Sequence, residues 1–300
     1  MEHHHHHGPA NYNRAFAFGV ALNIGFVVVE AVFGIMSGSL ALLADAGHNL
    51  SDVLGLFLAW GANYLVQRKP TERRTYGWRK SSVLAALINA VILLFVLGGI
   101  AWDAILRFSA PVSVAGKTII YVALVGVVIN TATALLFLSG RKSDLNIRGA
   151  FLHMAADAGV SAGVVVAGVA ILLTGKPWID PAVSLVITVI ILFGTWGLLR
   201  DAFNMAMDAV PKNIDPEAVR AYLSSLPGVF GVHDMHIWAM STKETALTAH
   251  LVKPDTEDDD ALIGIASKTL HDRFGIDHTT LQWERRPWLT QCGDACEIKQ

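Results

Sequence analysis

The sequence predicts an α-helical polytopic membrane protein with six transmembrane helices and a C-terminal cytoplasmic α+β domain of the ferredoxin-like kind. Three observations predict it. The 300 residues are 53% hydrophobic and only 16% charged, against about 25% charged in a typical soluble domain. The deficit of charge is concentrated before residue 210, in long apolar runs with polar punctuation. After residue 211 the composition turns polar, and the pattern becomes helix, strand, strand, helix, strand. The net charge of −2 offers no electrostatic case for nucleic acid, whose affinity rests on neutralised phosphates.

The opening MEHHHHHG reads as a tag or as a metal-collecting tail, and residues 1–13 are left out of the fold. No cleavable signal peptide pattern follows it. A bilayer core about 30 Å thick needs roughly 20 apolar helical residues to cross it. Segments 15–37, 39–66, 80–106, 117–139, 146–174 and 179–202 meet that length, and a buried soluble core hardly explains six in series. The loop after the second segment holds Arg68, Lys69, Arg73, Arg74, Arg79 and Lys80, and the loop after the fourth holds Arg141, Lys142 and Arg148. The opposite loops hold only Arg107, Lys117 and Lys176. Lys and Arg stay on the cytoplasmic side, so both termini are expected there. The membrane domain is expected over 14–209.

VPKNIDP is a linker into a domain expected over 210–286. Asp215 is suited to cap a helix with Pro216 at its first position. VFGVHDMHIWAM, TALTAHLVK and HTTLQWER have strand composition, and DALIGIASKTLHDRF has helical periodicity. This order suggests the ferredoxin-like sandwich. The only cysteines, Cys292 and Cys296, lie in the tail 287–300, so the body has no disulfide framework.

Ionisable residues inside a span are costly, about 2.5–3.5 kcal/mol at the helix centre. Here they cluster. HNLSD places His48 and Asp52 four apart in the second segment, and HMAAD does the same with His153 and Asp157 in the fifth. Positions i and i+4 share one helix face. One such pair reads as a packing hydrogen bond or a buried ion pair; two copies favour a shared metal or proton site. Two imidazoles and two carboxylates suit zinc, lack the thiolate that favours copper(I), and make a poor calcium cage. Asp45 lies three residues before His48, open as an orienting partner, an entrance charge or a ligand. Asn23, Asn89 and Asn130 read as interhelical hydrogen bonders, and Glu30 and Asp103 as structural or near-interface charges.

In the C-terminal domain His233, His236, His250, His278 and Glu284 are candidate ligands. Histidines three apart on a strand face opposite ways, so His233 and His236 share a metal only if a bulge or turn intervenes. His271 and Asp272 read as solvated surface. The thiols of Cys292 and Cys296 are either soft ligands across a dimer or part of a disordered tail.

SGSLALLADAGHNLSD, RRTYGWRKSSVLAALIN, NIRGAFLHMAADAGVS, IDPAVSLVI and VHDMHIW resemble the cation diffusion facilitators, most closely the zinc-exporting branch. The resemblance spans residues 14–285. It implies a six-helix membrane domain, a cytoplasmic metallochaperone-like domain, a homodimer, and exchange of cytosolic Zn2+ for H+ by alternating access. Carried over residue by residue, the transport site is His48, Asp52, His153 and Asp157. Members with an aspartate in place of the first histidine look less strict against cadmium, so His48 points to zinc. The family's charge lock falls on Lys80 and Asp208, although Lys80 also reads as simple snorkelling. The family pattern in the second domain favours His233, His250 and Glu284, with His278 as an addition. Gln282 stands where some relatives use histidine. The loop 66–80 lacks the aspartate and histidine that form a further site in some members. A bacterial-looking chain points to the inner membrane. The rivals are a membrane metal sensor and an intramembrane metalloenzyme; the chain has no H-E-x-x-H flag for the latter.

Overall fold

The computed structural model describes residues 13–138, 145–255 and 259–285. Six long helices come first: α1 (Asn13–Ser37), α2 (Leu40–Val66), α3 (Ser81–Ser109), α4 (Gly116–Phe137), α5 (Leu145–Thr174) and α6 (Ile179–Ala206). They are followed by α7 (Pro216–Ser224), β1 (Gly231–Ala239), β2 (Thr245–Val252), α8 (Asp259–Phe274) and β3 (His278–Glu284). Among the described residues, four helices are long and apolar enough to cross a membrane, and they fall in α3, α4, α5 and α6. The chain divides into two compact units. Among the described residues, one holds 13–57 with those between Asn89 and Gly197; the other holds Leu58–Ile88 with those from 198 to 285.

In the first unit the usual distribution of polarity is inverted. Phe95, Leu173 and Phe193 are about four-fifths exposed, while Glu30, Asp45, Asn49, Asp157, Ser161 and Asp180 are buried. Apolar side chains outward and polar groups inward is the arrangement a hydrocarbon solvent selects. The interior is sealed by Phe26, Leu42, Leu97, Ile119, Val164 and Ile187. Close helix approach depends on missing side chains: a Cβ on Gly126 would stand 2.6 Å from the Phe26 ring, and one on Gly168 would stand 2.8 Å from Ile120. Small residues at such crossings let membrane helices pack tightly.

One contact fixes the start of α2. The Asp180 carboxylate, in the first turn of α6, accepts from Ser39 Oγ (2.5 Å), from Leu40 N–H (2.7 Å) and from Ala41 N–H (3.4 Å). An acid from another helix thus satisfies amides that the first turn of α2 leaves unpaired. Arg107 donates to the Gly38 carbonyl and to Asp103 Oδ2. Of the asparagine amides expected to bond between helices, the atoms Asn23 Oδ1, Asn89 Oδ1 and Asn130 Nδ2 have no hydrogen-bond partner among the described residues.

In the second unit, α7 begins as its sequence predicts. Asp215 Oδ1 accepts from Glu217 N–H at 2.9 Å and Ala218 N–H at 3.3 Å, with Pro216 at the first position. The sheet has the order β1-β2-β3. β1 and β2 form an antiparallel hairpin, and α8 carries the chain across to a parallel β3. Val219 and Leu223 of α7 and Leu262, Ala266 and Leu270 of α8 recur at helical spacing and are buried. They pack in one core with Leu247 and Leu251. Relative to the β-α-β-β-α-β ferredoxin-like order, the first strand has no counterpart among the described residues, because turn residues 207–215 stand there. β3 therefore pairs directly with β2.

The β1–β2 register slips between His233 and His236. Asp234, inside the slip, has φ +47°, a left-handed conformation that Asp tolerates better than most residues. The bulge re-aims side chains that a regular strand would alternate.

Candidate metal centre

The first unit brings the two His-x-x-x-Asp pairs face to face. His48 Nε2 lies 3.4 Å from Asp157 Oδ1 and 3.7 Å from Asp52 Oδ2. His153 Nε2 lies 3.2 Å from Asp52 Oδ2 and 3.6 Å from Asp157 Oδ2. The imidazole rings meet edge to face with centroids 5.9 Å apart. Donor atoms of His48, His153 and Asp157 fall within 4.8 Å of one another. Asp52 Oδ2 lies within 3.7 Å of both imidazoles. Asp52 Oδ2, Asp157 Oδ2 and His48 Nδ1 are buried and take part in no hydrogen bond. Unsatisfied buried oxygens are costly. A divalent cation seated among these donors satisfies the carboxylates, and the mixed nitrogen and oxygen set fits zinc.

Asp45 stands apart from this group. Ser161 Oγ donates to its Oδ2 at 2.9 Å, and its carboxyl faces Glu30. Glu30 is fully buried and accepts from Asn49 Nδ2 at 3.3 Å, so of its two readings, structural or near-interface charge, the burial fits the structural one. The signal for this cluster is readable in retrospect. Asp45, His48, Asn49 and Asp52 follow the i, i+3, i+4, i+7 stripe of one helix face, and His153, Asp157 and Ser161 follow i, i+4, i+8. Only Glu30, alone on α1, has no such mark.

The C-terminal domain gathers a second group. His233 and His250 are register partners across β1 and β2, and β3 brings Glu284 beside them. Glu284 Oε2 lies 2.8 Å from His233 Nε2, and Glu284 Oε1 lies 2.9 Å from His250 Nδ1. The two rings are edge to face at 5.2 Å. These three residues also place one donor each within 4.8 Å of the others. His236 is carried away by the bulge; its Nε2 lies 2.9 Å from Asp234 Oδ1, at the surface. Asp234 also reaches to 3.6 Å from His250 Nε2. The His236 ring beside Asp234 holds its carboxyl below the usual carboxylate range. Asp234 is the residue sequence reasoning missed, since a left-handed bulge has no distinct composition.

His278 opens β3, whereas Glu284 closes it. It is exposed and stacks edge-on with Tyr76 at 5.9 Å, and it does not join the group. Lys80 Nζ lies 2.5 Å from Asp208 Oδ1 and donates to the Met205 carbonyl at 2.9 Å. Asp208 has φ +58°, a turn that ends α6 and aims its carboxyl at Lys80. Cys292, Cys296 and the histidine run at 3–7 lie outside the described residues.

An apolar-outward bundle with nitrogen and oxygen donors converging inside it fits a membrane carrier of a cation. Residues 17–205 match the cation efflux transmembrane domain, and residues 211–286 match the cytoplasmic domain of cation efflux proteins. The chain belongs to the cation efflux, or cation diffusion facilitator, family and is an integral membrane metal cation efflux transporter. It is 34% identical over 289 residues to the cation efflux system protein CzcD of Alcaligenes sp., covering 95% of this chain and 90% of that protein. It is 37% identical over 274 residues to the zinc transporter ZitB of Escherichia coli, covering 91% and 87%. It is 33% identical over 286 residues to the cadmium, cobalt and zinc/H(+)-K(+) antiporter of Bacillus subtilis, covering 93% and 91%. These relatives are named as transporters, not enzymes, and the metalloenzyme rival falls with that. Among solved structures, the metal-bound C-terminal domain of the CzcD transporter from Cuprividus metallidurans is 32% identical, covers 24% of this chain and 99% of that one, and has a TM-score of 0.23.

Proposed function

We propose that the protein exports Zn2+ from the cytoplasm in exchange for H+, with the metal held by His48, Asp52, His153 and Asp157. The observation that carries this reading is the set of buried, unbonded carboxylate oxygens, Asp52 Oδ2 and Asp157 Oδ2, facing two imidazoles. Metal binding requires deprotonated donors. Zinc entering from the cytoplasm displaces protons from the imidazoles. When the site faces the opposite side, protons return to the ligands and release the metal, since imidazole titrates near physiological pH. Competition of metal and protons for one site is sufficient for exchange. The names of the Escherichia and Bacillus relatives, a zinc transporter and an antiporter using protons, support the cargo and the coupling.

In this reading all six long helices cross the membrane within 14–209, and both termini are cytoplasmic. The membrane is the bacterial inner membrane, and 210–286 is a ferredoxin-like regulatory domain through which a homodimer forms. His233, His250 and Glu284 hold a regulatory zinc there, and Lys80 with Asp208 acts as a charge lock. Proteoliposomes loaded with a zinc dye and given a pH gradient test the reading. The native chain produces zinc flux that depends on the gradient, and Asp157→Ala reduces it to background. Absence of flux in the native chain rejects transport, and flux insensitive to the gradient rejects proton exchange.

A further inference from the structure

The loop joining α2 to α3 carries Arg68, Lys69, Arg73, Arg74, Arg79 and Lys80 against a single carboxylate, Glu72. The structure separates these six cations into two groups. Arg79 pairs with Glu244 at 3.5 Å, and Lys80 pairs with Asp208. Arg68, Lys69, Arg73 and Arg74 are all exposed. Among the described residues, none of these four has a carboxylate within ion-pair distance.

The loop is built rather than slack. Thr71 and Arg74 exchange backbone hydrogen bonds of 3.0 Å each. Gly77, at φ +70°, folds the chain back so that a Cβ there would stand 3.4 Å from the Arg68 carbonyl. Two of the free cations rest on rings. Arg68 donates to the Tyr64 hydroxyl at 3.0 Å and lies 5.1 Å from its ring centroid. The Arg74 guanidinium lies 3.9 Å from the Trp78 centroid. Tyr64 belongs to the last turns of α2, and Trp78 precedes the first turn of α3.

Tyr and Trp collect where a membrane meets water. Clusters of four to eight Lys and Arg beside a transmembrane helix attract anionic lipid, and guanidinium forks match phosphate oxygens. We infer that this loop is a binding surface for anionic phospholipid headgroups, with Arg68, Lys69, Arg73 and Arg74 on the lipid phosphates and Tyr64 and Trp78 at the interface. The inference rests on the membrane placement of α2 and α3, and not on zinc exchange. Charge complementarity selects the occupant: four unpaired cations at the bilayer edge face a leaflet whose available counter-charge is phosphate.

Retained lipid, counted by native mass spectrometry, is the test. The full chain is extracted from bilayers of equal phosphatidylglycerol and phosphatidylcholine. Phosphatidylglycerol is expected to be enriched on the native chain. The variant Lys69→Gln/Arg73→Gln/Arg74→Gln loses that enrichment by about tenfold or more, while Lys69→Arg/Arg73→Lys/Arg74→Lys keeps it. Lys117→Gln/Lys176→Gln, which removes exposed cations elsewhere, leaves it unchanged. Equal retention of the two lipids by the native chain, an unaltered triple-glutamine variant, or equal loss on changing Lys117 and Lys176 overturns the inference. The count does not involve flux, so failure of zinc exchange and failure of lipid binding are separable.

Discussion

Asp157 is 2% exposed, the most buried of the four converging donors, and it reaches both imidazoles. Removing it leaves two histidines with only Asp52. Asp157→Ala is expected to lower zinc-dependent flux at least about a hundredfold, the scale of losing a charged ligand worth about 3 kcal/mol. Stopped-flow dye fluorescence in proteoliposomes measures it. In the second domain the histidines divide by geometry. His250→Ala is expected to reduce the zinc bound per full-length chain at equilibrium by one, because His250 completes the group with His233 and Glu284. His278→Ala is expected to leave it unchanged, because His278 sits at the other end of β3. Equilibrium dialysis against zinc distinguishes the two; an equal loss in both variants would refute this division.

At the scale of the element, α2 is held at its start by an acid from α6. Asp180→Asn retains the shape but removes the charge at two α2 amides, and it is expected to cost about 1 kcal/mol. A lowered thermal midpoint in detergent would show it. In the C-terminal domain, Arg285 and then Lys253 hold the Asp259 carboxyl below the usual carboxylate range, and Asp255 with Asp259 holds the Lys253 ammonium above its ordinary value. The depressed Asp259 contributes stability above the unfolded carboxylate value of about 3.9, lost as pH falls through the lower folded value. The raised Lys253 contributes stability below about 10.4, lost as pH rises through the higher folded value. The contribution of this network to thermal stability is therefore expected to be flat between those limits and to weaken on either side. Asp259→Asn should flatten the acid side of that profile; an unchanged acid limb would show that the network does not set it.

For the whole molecule, Lys80 and Asp208 test whether an exposed pair matters through geometry. Exposed ion pairs contribute about 0–1 kcal/mol. Lys80→Ala is expected to change unfolding free energy by no more than that, while lowering zinc flux several-fold. Parallel unfolding and flux measurements decide the point, and proportionate changes in both would reduce Lys80 to a structural charge.

Much of this arrangement is written locally. The six apolar stretches predict helices over 15–37 through 179–202, and α1 to α6 match them within a few residues, because hydrophobic length and helical period are properties of consecutive residues. The cap at Asp215 is equally local. The two His-x-x-x-Asp spacings place each pair on one face for the same reason. What the sequence could not determine is what those faces meet. Four donors become one site only when α2 and α5 pack together, and Glu30 becomes part of a polar cluster only when α1 presents it to Asp45. Asp234 and the separation of His233 from His236 depend on a bulge defined by pairing with β2. His278 shares a strand with Glu284 yet not a site, since strand length separates them. Sequence by itself determined the class, the helices and the residue types of the site. Tertiary packing alone decided which donors converge, because distances between elements are set by side chains far apart in the chain.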